Sequence, residues 1–215
     1  MSDQQKIAFL LSKGVAEWDI PSVGFDNTEL NKMYNKLKNK DYVMSKEDLI
    51  RNLEHLNSKL QQDNEQGEIV LVGGAVMCLL YGNRQTTRDI DAIFEPKSKI
   101  YQKAKEIAEE GDFPSDWLND EVKGFMSEKA DYSEFITMSN LTVNVATPEY
   151  MLAMKCLSSR TDSDSERSDI ETLLKHLNLK TWDQVEEIIL RYYPKKRFQT
   201  KTRFFVEEII DELLS

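Results

Sequence analysis

The sequence predicts an α+β fold: a mixed β-sheet flanked by helices, with a helical C-terminal part. Three observations lead there. Short apolar, β-branched runs at EIVLV, IDAIF and LTVNVA are spaced by amphipathic helical stretches. Their order is helix, strand, helix, strand, helix and then two strands, which suits a mixed sheet with helices packed on it. From Pro148 onward only helical patterns remain. The expected divisions are an N-terminal extension over 1–45, an α/β core over 46–147 and the helical part over 148–215.

In residues 1–45 an apolar patch at Ala8–Leu11 precedes a turn-like IPSVGFDN and the lysine-rich NKMYNKLKNKDY, which together predict a helical extension. Ser45, followed by Glu47 and Asp48, has the chemistry of a helix N-cap with an acidic first turn. Leu49, Leu53, Leu56 and Leu60 repeat at helical spacing until QQDNEQG ends the run. EIVLVGG is a strand closed by two glycines, and AVMCLLYG is a helix whose end is marked by Gly82. RDIDAIFEP is a second strand, stopped by Pro96. KSKIYQKAKEIAEEG is an amphipathic helix, and FPSDWLNDEV is a loop. EFITM and LTVNVA are strands. PEYMLAMKCLSS starts a helix with proline in its first turn, and SERSDIETLLKHL, WDQVEEIILRYY and RFFVEEIIDELL follow as helices.

Composition narrows the function classes. Of 215 residues 40% are hydrophobic and 31% charged, as in globular proteins. A net charge of −10 argues against gripping nucleic acid over the whole surface, though not against a local basic patch. No run approaches the ~18 apolar residues of a membrane span, and the N-terminus lacks a signal-peptide layout, so no membrane partner is expected and a cytoplasmic location is. Cys78 and Cys156 sit in apolar surroundings and read as buried thiols. Two histidines and two cysteines give no zinc spacing.

The chemistry concentrates in LVGGAVMCLLYGNRQTTRDIDAIF, residues 71–94. Alternation along a strand puts Asp89 and Asp91 on one face, roughly 6–7 Å apart at Cα, with Ile90, Ala92 and Phe94 on the other. Two carboxylates so placed either bind a hard divalent cation such as Mg²⁺, or stand solvated with Arg84 or Arg88 as counter-ions. Gly73-Gly74, between a strand and a helix, permits a close approach to an anion at the helix N-terminus, or simply makes a tight turn. Together the two features place an anion site beside a cation site, the arrangement a metal–nucleoside triphosphate needs.

This stretch resembles the signature of the nucleotidyltransferase superfamily, with its DNA polymerase β-like fold, and most nearly its small bacterial AbiEii-toxin-like branch, whose text runs "GG-x-A … R-x-T-x-DIDA". TVNVATPEYMLAMKCLSSR…SDIETLL is similar to the later "PE-x-L-x-x-K" and "R…D-I-x-x-L" segments, so the resemblance covers about residues 46–180. It implies transfer of a nucleoside monophosphate from an NTP, with Mg²⁺ or Mn²⁺ on Asp89 and Asp91 and phosphate at Gly73 and Gly74. Lys155 is implied in nucleotide binding and Asp169 in catalysis. Arg84 and Arg88 read as triphosphate contacts or as solvated counter-ions. The chain departs from the pattern twice: Gly74 stands where many active members have serine, and Asn144 where polymerase-like members have a third carboxylate. Asp169 or Glu134 is then the substitute acid. The acceptor is open among RNA, a protein and a small molecule, and an antitoxin-like partner is also implied. The alternative is a catalytically degenerate fold that acts as a nucleotide-binding or protein-interaction module.

Other residues read as structural. His55 and His176 lie on amphipathic helices, and Trp117 reads as a core anchor. RYYPKKRFQTKTR reads as a solvated inter-helix loop or as an RNA contact.

Overall fold

The computed structural model describes residues 2–21, 28–40, 42–158, 163–197 and 200–215. Helices α1 (Asp3–Ser12) and α2 (Thr28–Lys40) form the N-terminal part, with a small core of their own from Leu10, Leu30 and Tyr34. Most of the turn-like IPSVGFDN lies outside the described residues. A two-residue strand, β1 (Met44–Ser45), leads into α3 (Lys46–Gln62). Ser45 is the expected cap: its hydroxyl accepts from the Asp48 amide at 3.3 Å, and the Asp48 carboxylate accepts from the Ser45 amide at 3.0 Å. Leu49, Leu53, Leu56 and Leu60 are fully buried.

The main sheet joins β2 (Gly67–Val72), β4 (Ile90–Glu95), β5 (Leu118–Asn119), β6 (Tyr132–Thr137) and β7 (Leu141–Ala146) in the order β5-β4-β2-β7-β6. It is mixed: β2 runs antiparallel to β4 and parallel to β7. One face carries Ile69, Leu71, Ala92, Val143 and Val145 onto α3 and α5 (Lys97–Gly111). The register Val72↔Asp91 and Val70↔Ile93 sets the other face, which also bears Asn144. That alternation turns Asp91 away from the helix layer.

After β2 the chain enters α4 (Gly73–Val76), which continues as a π-helical turn, Met77–Tyr81, and stops at Gly82 with φ +64°. The expected glycine terminator is thus in place. The C-terminal part is helical, as α6 (Pro148–Ser158), α7 (Asp164–His176), α8 (Trp182–Tyr192) and α9 (Thr200–Leu214). Its apolar faces merge with those of the sheet into one buried core reaching from Met44 to Ile210.

Three short strands were not expected. β1 pairs antiparallel with β3 (Thr86–Thr87), and β5 forms inside the stretch read as a loop. Two-residue strands are too short for any periodicity to register. Cys78 and Cys156 are both free and buried. Among the described residues no helix is long and apolar enough to cross a membrane.

Candidate active site

Gly73, Gly74, Arg84, Asp89, Asp91 and Lys155 line one cleft of about 350 Å³. Each arrives by a local cause. Gly73 has φ +65°, a conformation that suits glycine, and a Cβ there would lie 2.9 Å from Asp91 Oδ2. The bare backbone is what lets the turn and the carboxylate meet. We expect Gly73→Ala to cost about 1–2 kcal/mol from left-handed strain and crowding, a loss that urea unfolding measures directly. A Cβ on Gly74 would lie 2.8 Å from Thr87 Oγ1. A serine at 74 would therefore meet the Thr87 hydroxyl, which donates to Asp89 O at 3.2 Å.

Neither Asp89 nor Asp91 has a salt-bridge partner among the described residues. Asp89 accepts from Asn119 Nδ2 at 3.3 Å. Burial holds its carboxyl above the usual range, opposed by that hydrogen bond. Burial pushes Asp91 up to about 6, with the neighbouring Asp89 charge adding to the shift and Lys155 opposing it. Two desolvated carboxylates with hard oxygen donors and no bound counter-charge suit a divalent cation. Among the described residues no group of three or more His, Cys, Asp or Glu side chains is placed to hold a metal. A Mg²⁺ or Mn²⁺ here would use the two aspartates and complete its shell with phosphate and water, the usual habit of Mg²⁺.

Asp169 sits elsewhere in the network. It is fully buried under the cleft wall, and both of its oxygens are taken. Arg84 donates Nε to Oδ1 at 2.7 Å and Nη2 to Oδ2 at 2.5 Å; Asn83 Nδ2 donates to Oδ1 at 2.9 Å. Lys155 Nζ lies 2.7 Å from Oδ2 and bonds Glu166 at 3.2 Å. This carboxylate anchors the two cations of the cleft from behind and is absent from the cleft lining. Arg84 and Lys155 are thereby held in place before any ligand arrives.

Besides Asp169, three expected positions fall outside the cleft lining. Arg88 is exposed and acts on Asp89 only as a neighbouring charge. Asn144 pairs with Val70 in the register, one same-face step down the sheet from Val72, and donates Nδ2 to Glu68 Oε1 at 2.9 Å. Glu134 stands opposite Asn144 on β6 and is exposed.

Glu121 was missed. It opens a 3₁₀ turn, Glu121–Phe125, directly after β5, lines the cleft, and its charge raises the carboxyls of both Asp89 and Asp91. Its amide donates to Asn119 Oδ1 at 3.0 Å. The turn's other end is tied to the C-terminal part: Phe125 O accepts from Tyr193 Oη at 2.6 Å and Gly124 O from Arg197 Nη2 at 3.2 Å. The only sequence signal was an acid in a loop. Val122, Phe125, Met151 and Met154 add an apolar side to the cleft.

The remaining residues settle as follows. Trp117 is fully buried and donates Nε1 to Ala104 O at 2.9 Å. His55 lies 3.2 Å from Glu110, and His176 packs edge-on against Tyr81. In the basic run Tyr192 and Tyr193 are buried, while Arg191, Lys195 and Arg203 each pair with a glutamate; Phe198 and Gln199 lie outside the described residues.

The family model described as "Nucleotidyltransferase of unknown function (DUF6036)" matches residues 47–209. No curated protein and no solved structure matches the chain.

Proposed function

The chain belongs to that nucleotidyltransferase family, and from this premise we propose that it transfers a nucleoside monophosphate from a metal-bound NTP to an acceptor hydroxyl. The observation that carries the reading is the meeting of the Gly73–Gly74 turn, the Asp89/Asp91 pair and two anchored cations in one cleft. Backbone amides at the start of α4 face the phosphates, and Arg84 and Lys155 take the charge that grows on the leaving pyrophosphate. A Mg²⁺ or Mn²⁺ on Asp89 and Asp91 would neutralise the triphosphate and polarise its phosphoryl oxygens. Thr87, whose hydroxyl donates to Asp89 O at 3.2 Å, fills the space a side chain at 74 would need. Asp169 is a positioning residue, holding Arg84 and Lys155 in their working geometry. Glu121 is the carboxylate placed to accept the acceptor's proton.

We test this with NTPs labelled at the α-phosphate, incubated with the protein, Mn²⁺ or Mg²⁺, and separate pools of RNA and protein. Covalent label in either pool that is lost with chelator supports the reading. Lys155→Ala should weaken NTP binding by roughly 1–3 kcal/mol, the value of a charged hydrogen bond. Deleting residues 1–40 should leave that binding intact; calorimetry separates the two outcomes.

A second reading has one observation in its favour. Asn144, at the position matched to a third carboxylate, is an amide occupied with Glu68. On that reading the chain binds nucleotide without transferring it, as the interaction partner of an antitoxin-like protein. Glu121→Gln distinguishes the two: a transferase loses turnover while binding stays, and a binding module changes in neither.

A further inference from the structure

We infer that the acceptor is a polypeptide hydroxyl flanked by basic residues, docked on the open face of the sheet beside the cleft. The inference rests on the transferase reading and adds the substrate class to it.

Displacement at phosphorus places the entering and leaving oxygens in line. Gly73, Gly74, Arg84 and Lys155 line the cleft together with Asp91, and on the transferase reading the pyrophosphate leaves toward the two cations. The attacking hydroxyl is then assigned to the opposite side, where the sheet face that bears Asp91 continues along β2 and β4. Along that face the register steps from Asp91/Val72 to Ile93/Val70 and then to Glu95/Glu68. These last four residues, with Tyr132 and Lys123, line a groove of about 450 Å³. The 3₁₀ turn holding Glu121 and Lys123 runs between groove and cleft, contributing Glu121 to one and Lys123 to the other.

The groove's chemistry selects the occupant. Val70, Ile93 and Tyr132 give it an apolar floor, and Tyr132 is 38% exposed. Glu68 and Glu95 are exposed at its rim, with Glu134 beside them on β6. The cation among its lining residues, Lys123, is already paired with Asp120. Phosphates of an RNA would meet repelling carboxylates there, in a chain of net charge −10. A peptide with Lys or Arg near its Ser, Thr or Tyr meets complementary charge and an apolar seat. In the step, the hydroxyl oxygen forms a bond to the α-phosphorus while the bond from that phosphorus to the bridging oxygen breaks. The bridging oxygen leaves with pyrophosphate, and the hydroxyl proton passes to Glu121 and on to solvent.

The test offers the full chain with Mn²⁺ and the four α-labelled NTPs three acceptors: Ser/Thr/Tyr peptides with Lys/Arg flanks, the same peptides with Asp/Glu flanks, and total RNA. We expect label on the basic peptides, about tenfold or more over acidic ones, the scale of electrostatic steering. Glu68→Lys/Glu95→Lys should lower kcat/KM for the basic peptides about tenfold and leave metal-dependent NTP binding unchanged. Glu68→Gln/Glu95→Gln, which perturbs the sheet less, should give a smaller loss in the same direction. Label on RNA alone, equal label on both peptide sets, or charge-reversed variants as active as wild type would each overturn the inference while leaving the transferase reading intact. Absence of metal-dependent NTP binding in the wild type overturns both.

Discussion

Asp169→Ala should lose about 3 kcal/mol or more of stability, the cost of stranding charges that were buried as a pair. Thermal unfolding followed by circular dichroism should then show a fall of roughly 6–12 °C for a chain of this size. The cause is geometric. Both carboxylate oxygens are committed to Arg84, Asn83 and Lys155, and the residue has no exposed surface. Removing it leaves Lys155 with Glu166 alone, and frees the segment around Arg84 from α7. Arg84 is 21% exposed and can find some water, which keeps the loss at the lower end for buried pairs. NTP affinity should fall as well, because both cations of the cleft lose their anchor. A change under 1 kcal/mol would show that the carboxylate is dispensable.

Asp91→Asn should move stability and activity in opposite directions. In the folded protein the Asp91 carboxyl titrates at about 6, against 3.8 for its ordinary value, because burial and the Asp89 charge disfavour ionisation. Between these values the folded state keeps a proton that the unfolded chain has released. Stability therefore falls as pH rises from about 4 to 6, and the penalty is complete above that window. A shift of this size corresponds to about 2–3 kcal/mol at pH 7 in the metal-free protein. Asparagine removes the charge and keeps the shape. The variant should accordingly unfold later than wild type at pH 7, with the difference shrinking toward pH 4, and divalent cations should stabilise wild type but not the variant. Transfer should drop by about a hundredfold or more, the scale on which removing a group that stabilises transition-state charge acts. A variant less stable than wild type at pH 7 would mean that Asp91 is held by partners rather than strained.

Much of this was legible because it is local. Asp89 and Asp91 line the same cleft, although β4 begins at Ile90 and Asp89 stands just ahead of the strand whose alternation was expected to pair them. The glycine pair marked the turn that Gly73 makes with positive φ. The helical spacing of Leu49–Leu60 and the absence of strand patterns after Pro148 gave the two ends of the fold. What was not legible depends on pairs distant in sequence. Arg84 and Asp169 lie on separate elements, and nothing near either announces a two-toothed contact across the chain. In the sequence Asp169 reads as a substitute acid, because a carboxylate on an amphipathic helix gives no sign of which face will close over it. Arg84 and Arg88 flank the same threonines, yet Arg84 lines the cleft, held by Asp169, while Arg88 is exposed. Glu121 owes its place to β5, a strand of two residues whose backbone ladder to β4 has no side-chain pattern.

If Asp89 and Asp91 hold a divalent cation, NTP binding in the cleft of Gly73, Arg84 and Lys155 should depend on that cation. Calorimetric titration of each NTP into the wild-type chain and into Asp89→Asn/Asp91→Asn, with Mg²⁺ and with chelator, tests it most directly. Wild type should bind with Mg²⁺ and little with chelator, and the folded double variant should bind little under either condition. Equal binding by wild type and variant, or binding indifferent to chelator, would contradict it.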